Sequence, residues 1–384
     1  MSSFDSSAIS ARNLAACRLT FLLSGAAMGA WAPLVPYARE RAGIEDAQLG
    51  LLLLCLGCGS MVMMPLAGWV VSRIGCRRTI FLAASAVALS LAFLASVSSF
   101  AALVAFLLLF GAAVGTADVT MNIQGVIVER ACGRSMMSGF HGLFSLGCIL
   151  SAASLSALLW LGASPLQAVC GLLVAGALVL MSYGNALLPY GEGGASSPFI
   201  RPSAEVLLLG GLCFIAFLVE GALLDWSAVF LATTRDVDKA QAGLGYAFFS
   251  LTMAAGRLCG DRIVNRLGER SVLVAGSLLG ICGMALAVAL PHWYFALLGF
   301  VLVGAGISNM VPVFCSLAGR QRRMPVGMAI AAMTGIGYLG ILLGPALIGG
   351  VAHLASLSLA LASSAGLLLI VVACAPWMTR KRAV

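Results

Sequence analysis

Runs of about twenty Leu-, Ala- and Val-rich residues recur along the whole chain, and about twenty is what a helix needs to cross ~30 Å of hydrocarbon at ~1.5 Å per residue. Apolar residues make up 61% of the 384 positions and charged ones 9%. No water-solvated surface can be built from that mixture, so the solvent of this chain is lipid and a soluble multidomain enzyme is excluded. The 45 glycines fit helices that approach closely in a bilayer through small side chains.

Apolar windows and their breaks predict an all-α integral membrane fold with twelve transmembrane helices, at about 13–37, 47–71, 77–97, 100–128, 136–159, 165–188, 205–232, 242–264, 271–290, 294–318, 325–350 and 357–378. The apolar run after the polar residues 1–10 is too long for a signal-peptide core and reads as a retained helix. The net charge of +8 is placed as topology signals rather than as a nucleic-acid surface. With a cytoplasmic N-terminus, the inner side carries Arg12, Arg18, Arg73, Arg77, Arg78, Arg130, Arg134, Arg201, Arg257, Arg262, Arg266, Arg270, Arg320, Arg322, Arg323, Arg380, Lys381 and Arg382. The outer side holds only Arg39, Arg41, Arg235 and Lys239. Eighteen against four predicts a multi-pass protein of the inner (cytoplasmic) membrane with both termini cytoplasmic. The twelve cysteines are scattered through apolar segments without metal-ligand spacing, as Cys55 and Cys58 illustrate, and read as small fillers.

The stretch 189–204, with Gly191, Gly193, Gly194, Pro198 and Pro202, has linker composition and divides the chain into an N-terminal bundle, 1–188, and a C-terminal bundle, 205–384. Sliding the sequence on itself by 193 residues pairs Ala47-Gln48-Leu49-Gly50 with Ala240-Gln241-Ala242-Gly243, and Arg73-Ile74-Gly75-Cys76-Arg77 with Arg266-Leu267-Gly268-Glu269-Arg270. The same shift sets Gly111 on Gly304, Gly142 on Gly335 and Gly147 on Gly340. One constant offset over several helices and loops marks a duplicated six-helix unit, the two copies meeting around a central cavity.

These residues resemble the major facilitator superfamily (MFS). Its inner loop between helices 2 and 3 carries a Gly-rich signature ending Asp-Arg-x-Gly-Arg; here the loop runs from Gly68 through Ser72-Arg73-Ile74-Gly75-Cys76-Arg77-Arg78, and the second copy from Gly256 through Asp261 to Asn265-Arg266-Leu267-Gly268-Glu269-Arg270. Both copies lack the Asp, having Ser72 and Asn265. The resemblance implies a cytoplasmic gate made of Gly68, Arg73, Gly75, Arg77, Arg266, Gly268 and Arg270, with Asp261 or Glu129 as the substitute carboxylate. More narrowly, Met121-Asn122-Ile123-Gln124-Gly125, the run Ser138 to Gly147, and Glu220 to Ser227 resemble the bacterial YbjJ-type branch, distantly similar to fucose-permease-like sugar carriers.

Asp118, Glu220 and Asp225 fall well inside predicted spans. Each costs about 2.5–3.5 kcal/mol at a helix centre on insertion scales, so such residues face a cavity or a partner. All three are candidates for proton coupling. Glu220, near the middle of helix 7, is either a site that takes up and releases a proton, a structural acid, or a direct solute contact. Asp225, five residues on, is turned about 140° away and belongs either to an extracellular gate or to a structural hydrogen bond. Asp118, Asn122, Gly125 and Glu129 form one polar stripe on helix 4, with Asp118 and Asn122 expected in the cavity and Glu129 at the inner mouth; Gln124 faces elsewhere. His141 is either a relay or a packing residue. Trp31 and Trp226 supply outer-cavity or belt aromatics, Arg18 snorkels or pairs with a cavity carboxylate, and Asn309 and Thr334 are weaker candidates.

The leading expectation is a monomeric, proton-coupled secondary transporter moving a small solute by alternating access. No Gly-x-x-x-x-Gly-Lys-Ser/Thr loop occurs, which argues against ATP-driven transport, and no cofactor or metal is expected. The alternatives are a drug or metabolite efflux antiporter, an uncoupled facilitator, and a non-transporting membrane sensor or scaffold. An embedded enzyme is disfavoured: of three histidines, His292 and His353 fall near outer span ends.

Overall fold

The computed structural model describes residues 9–44, 46–191 and 200–379. The centre of the expected linker, 192–199, and the basic residues Arg380, Lys381 and Arg382 lie outside them. The helices are α1 (Ala11–Gly29), α2 (Val35–Ala42), α3 (Asp46–Leu94), α4 (Phe100–Cys132), α5 (Met137–Trp160), α6 (Pro165–Tyr183), α7 (Ala204–Thr234), α8 (Lys239–Ala242), α9 (Leu244–Leu267), α10 (Glu269–Ala289), α11 (Trp293–Ile307), α12 (Met310–Arg320), α13 (Val326–Leu354), α14 (Leu357–Gly366) and α15 (Leu368–Met378).

Ten stretches of the described residues are long and apolar enough to cross a bilayer. One of them, Leu54–Leu94, contains Gly75 at φ 81° and ψ 165°, a backbone that ends one helix and starts another. It is therefore two spans. The twelfth is α9, less apolar because it carries Arg257, Asp261, Arg262 and Arg266. The fold is thus twelve transmembrane helices, spans 1, 10 and 12 each being interrupted: at Ala30–Leu34, at Ser308–Asn309 and at Leu367.

The chain forms two compact units. The first holds Met1–Arg134, Leu143–Pro202 and Arg322–Ala332. The second holds Ser135–Gly142, Ser203–Gln321 and Met333–Val384. In the first unit α3 and α4 touch backbone to backbone: a Cβ on Gly59 would meet the Leu108 carbonyl, and one on Gly111 the Leu56 carbonyl. In the second unit the positions 193 residues later behave alike. Gly304 lies on the Phe249 carbonyl, and Thr252 Oγ1 donates to the Val301 carbonyl at 3.2 Å. Small residues at these points let the helices approach to where dispersion forces hold them together in lipid.

The repeat extends to backbone conformation, with Gly75 at φ 81° and Gly268 at φ 78°. Each end of the duplicated unit also carries an arginine that satisfies terminal carbonyls. Arg41 donates to Leu94 O at 2.7 Å and Val97 O at 2.8 Å; Arg235 donates to Ala287 O at 2.9 Å and Val288 O at 2.8 Å. A cation at a helix C-terminus meets the negative end of the macrodipole and the unpaired carbonyls together. Two of the four positive charges expected outside therefore have a structural task.

Candidate functional site

Helix α9 buries one face, Gly245, Phe249, Met253, Arg257, Gly260 and Val264, at three- and four-residue spacing. Arg257 is part of that stripe and is 8% exposed. The sequence reading set Arg257 among the charges of the inner side; the structure puts it in the middle of a span. A guanidinium there must be compensated, and Glu220 and Ser308 both contribute. Its Nη2 lies 3.4 Å from Glu220 Oε2 on α7, and its Nε donates to the Ser308 carbonyl at 3.3 Å.

The Ser308 carbonyl is available because of a proline. In a continuous helix Ser308 O would accept the N–H of residue 312, but Pro312 has none, and its ring crowds the carbonyl four residues back. The span breaks between α11 and α12, with Ser308 capping the first and Asn309 the second. Asn309 is 5% exposed and donates to Gly256 O at 3.2 Å and Ser308 Oγ at 3.0 Å, while its Oδ1 is buried without a hydrogen-bond partner among the described residues. A broken helix with exposed backbone groups near a buried charge is the arrangement on which many carriers build ion and solute sites.

The first turns of α5 pack on the same helix. A Cβ on Gly142 would meet Leu258, and the Arg257 charge acts on the buried His141. One turn further along α9, Asp261 accepts the Gly139 N–H at 2.8 Å, and Asn265 is bonded to the backbone of Ser135 on both its amide groups. Gly139 sits in the first turn of α5, so a carboxylate meets the positive end of that helix. Glu220, Arg257, Ser308, Asn309, His141 and Asp261 thus share one region of the second unit. Asp225 is exposed and turned away from it; Trp226 sits beside Gly349 with its indole N–H unpaired among the described residues. Thr334 is buried.

In the first unit the α4 stripe is buried: Asp118 at 8%, Asn122 at 1% and Glu129 at 9% exposure, with Gly125 beneath. Asn122 Nδ2 donates to the Asp118 carbonyl at 2.9 Å, and among the described residues no hydrogen bond or ion pair to the Asp118 carboxylate is present. Gln124 accepts the Leu188 N–H at 3.2 Å, tying α4 to the chain after α6. Trp31 is packed in an apolar cluster with Leu34, Ala38 and Leu52, and its N–H has no partner among the described residues. Arg18 is exposed.

The signature loops divide their tasks. Gly75 lies against the Pro189 carbonyl, where a Cβ would not fit, and Arg77 donates to Leu187 O at 3.0 Å and to Asn185 O. Arg73 stands 5.5 Å from the Trp69 ring. Together they line a cavity of about 380 Å³ with Ser72, Arg78, Tyr190 and Gly191. Gly68 lies against Gly327 and Ala331 of α13. In the second copy Arg266, Gly268 and Arg270 are exposed, and Glu269, at the start of α10, is ion-paired with Arg320.

What sequence reasoning missed is Arg257 with Ser308. The signals were present: a four-residue spacing from Ser308 to Pro312, and an arginine in register with Met253, Gly260 and Val264.

The family model described as Major Facilitator Superfamily matches residues 208–384. An uncharacterised MFS-type transporter of Yersinia pestis is 50% identical over 364 residues, 94% of this chain and 95% of its own length. Membrane protein MosC of Rhizobium meliloti is 29% identical over 91% of this chain and 86% of its own. Among solved structures, the Escherichia coli fucose:proton symporter superposes with a TM-score of 0.77 at 15% identity, covering 96% of this chain and 98% of that one.

Proposed function

We propose, for a chain that belongs to the major facilitator superfamily and is therefore a transporter rather than an enzyme, that it is a proton-coupled carrier of a small solute in which Glu220 is the proton site. The observation that carries this reading is the Glu220–Arg257 ion pair inside α7 and α9. A carboxylate paired with a fixed cation in a low-dielectric region has two stable states, ionised and bonded or protonated and released. Switching between them is what a carrier needs to link proton movement to a change of conformation. The sharing of the fold with a fucose:proton symporter is compatible with such coupling.

In this reading the protein works by alternating access as a monomer in the cytoplasmic membrane, with both termini inside, as the inner-side excess of arginine favours. Asp118 is the second proton candidate, since it is buried on α4. Asn122, His141 and Asn309 contribute polar contacts to the solute, Trp31, Trp226 and Asp225 serve the outer side, and Gly68, Arg73, Gly75, Arg77, Glu129, Asp261, Arg266, Gly268 and Arg270 the cytoplasmic gate.

The test is proton flux into proteoliposomes with an interior pH dye, offering pooled sugars, amino acids and drugs to the wild type and to Glu220→Gln. A solute-dependent pH change that disappears in the variant is expected. Uptake of a labelled solute by the wild type with no pH change would overturn proton coupling and leave a facilitator or a Na⁺-coupled carrier.

A further inference from the structure

We propose that the cavity at the turn between spans 2 and 3 binds an anionic phospholipid, its phosphate held by Arg73 and Arg78 and an acyl chain lying along span 3; this is independent of the proton site. Residues 47–117, which contain both spans, hold no Asp or Glu, and Arg73, Arg77 and Arg78 are their only charged side chains. All three line one cavity of about 380 Å³. The facing wall, Pro189, Tyr190 and Gly191, comes from residues 135–191, a stretch without Asp, Glu, Lys or Arg. Three guanidinium groups are thus gathered where, among the described residues, no carboxylate lines the space, and Ser72 stands where the family signature has Asp. Like charges so placed repel, and an anion shared between them offsets the repulsion.

The cavity is built by backbone. Gly75, at φ 81°, brings the turn onto the Pro189 carbonyl, where the Arg77 N–H donates to Leu188 O at 2.8 Å and the Cys76 N–H to Tyr190 O at 3.4 Å. The Arg77 side chain is engaged by the same wall, donating to Leu187 O at 3.0 Å and to Asn185 O. It fixes the wall and adds charge, while Arg73 and Arg78, both exposed, are placed to reach an anion. The Ser72 hydroxyl donates to Trp69 O at 2.7 Å, so the donors for that anion are the guanidinium groups.

Two features select a lipid over a soluble phosphate. The turn at Gly75 ends one span and starts the next, which puts it in the headgroup layer of the bilayer. From Arg78 the exposed positions then follow at helical spacing, Leu82, Ser85, Leu89 and Phe93, as one largely apolar stripe down span 3. A charged end above an apolar stripe is the profile of a phospholipid, phosphate at the surface and chain alongside. A phosphodiester also matches the planar fork of a guanidinium in paired N–H···O bonds, and basic pockets at the ends of spans take anionic headgroups in this way. The cavity is larger than an inorganic phosphate fills and leaves room for the rest of a headgroup.

The experiment titrates the purified full chain in detergent with phosphatidylglycerol and with phosphatidylcholine, reading retained lipid by native mass spectrometry and stabilisation by melting temperature. One phosphatidylglycerol is expected to be held at least tenfold more tightly than phosphatidylcholine. Arg73→Gln and Arg78→Gln should each weaken it about fivefold, whereas Arg262→Gln, which removes an exposed arginine of the second unit, should not. Arg73→Lys/Arg78→Lys, which keeps both charges, should retain the preference for the anionic lipid and serves if a glutamine variant does not fold. Glycerol phosphate and inorganic phosphate in large excess should leave the lipid in place, and Glu192→Gln, beside Gly191 in the chain, should leave its affinity within twofold. The proposal is overturned if phosphatidylcholine is held equally well, or if Arg262→Gln costs as much as Arg78→Gln, which would mean general attraction to charge. Displacement of the lipid by the soluble phosphates would overturn it in favour of a soluble anion, and a tenfold gain in Glu192→Gln in favour of this chain's own carboxylate.

Discussion

At the scale of the residue, two glycines separated by 193 positions show how tightly this chain is specified. Gly75 and Gly268, at φ 81° with ψ 165° and φ 78° with ψ 154°, occupy a region that only glycine enters without strain. Gly75 is also pressed on the Pro189 carbonyl, whereas a Cβ at Gly268 would meet nothing within 4 Å. Gly75→Ala therefore faces a collision in addition to strain of about 1–3 kcal/mol, and Gly268→Ala faces the strain alone. Thermal melting of the two variants in detergent should show the larger drop for Gly75→Ala; equal drops would mean that the Pro189 contact yields freely. The sequence identified both glycines through the repeat. It did not distinguish them, because the repeat pairs residues and not their surroundings.

At the scale of the element, the broken tenth span is the informative one. Pro312 removes the donor that would hold Ser308 O within the helix, and the freed carbonyl becomes a partner for Arg257. Pro312→Ala restores the N–H, draws Ser308 O back into the helix and takes one hydrogen bond from the guanidinium. The expected result is a helix more stable by intrinsic propensity, where proline costs about 3 kcal/mol, in a protein whose transport rate falls at least tenfold with melting temperature unchanged or raised. Full transport activity in this variant would show that the Ser308 contact does not position Arg257. The break itself was not legible in the apolar pattern, since 294–318 reads as one continuous run. Hydropathy records how apolar a window is and is insensitive to a missing amide hydrogen.

At the scale of the whole molecule, duplication and charge asymmetry carry the architecture. The 193-residue offset seen in loop motifs reappears as matched backbone contacts, Gly111 on Leu56 and Gly304 on Phe249; Arg41 and Arg235, one residue away from that offset, close the helices that end at Leu94 and Ala289. The compact units are not a plain cut at the linker: Ser135–Gly142 belongs with the second and Arg322–Ala332 with the first. Topology is testable directly. Fusion of alkaline phosphatase after Asp236 should be active and a fluorescent protein at the C-terminus should fluoresce; the opposite pattern would overturn the orientation derived from eighteen inner against four outer basic residues.

The sequence by itself determined the solvent, the number of spans, the duplication and the family resemblance, because each is written in properties that accumulate along the chain: apolar length, charge placement and a constant offset. Glu220 was legible too, as a carboxylate in the middle of a span. Its partner was not. Arg257 stands near Arg262, Arg266 and Arg270 in the chain and was counted with them, although it lies on the buried face of α9 while Arg262 and Arg266 are exposed. Which of several neighbouring arginines meets a carboxylate on a helix 37 residues away depends on the rotation of α9 about its own axis and on a carbonyl freed in a third helix. Those are consequences of packing, and only the tertiary structure decides them.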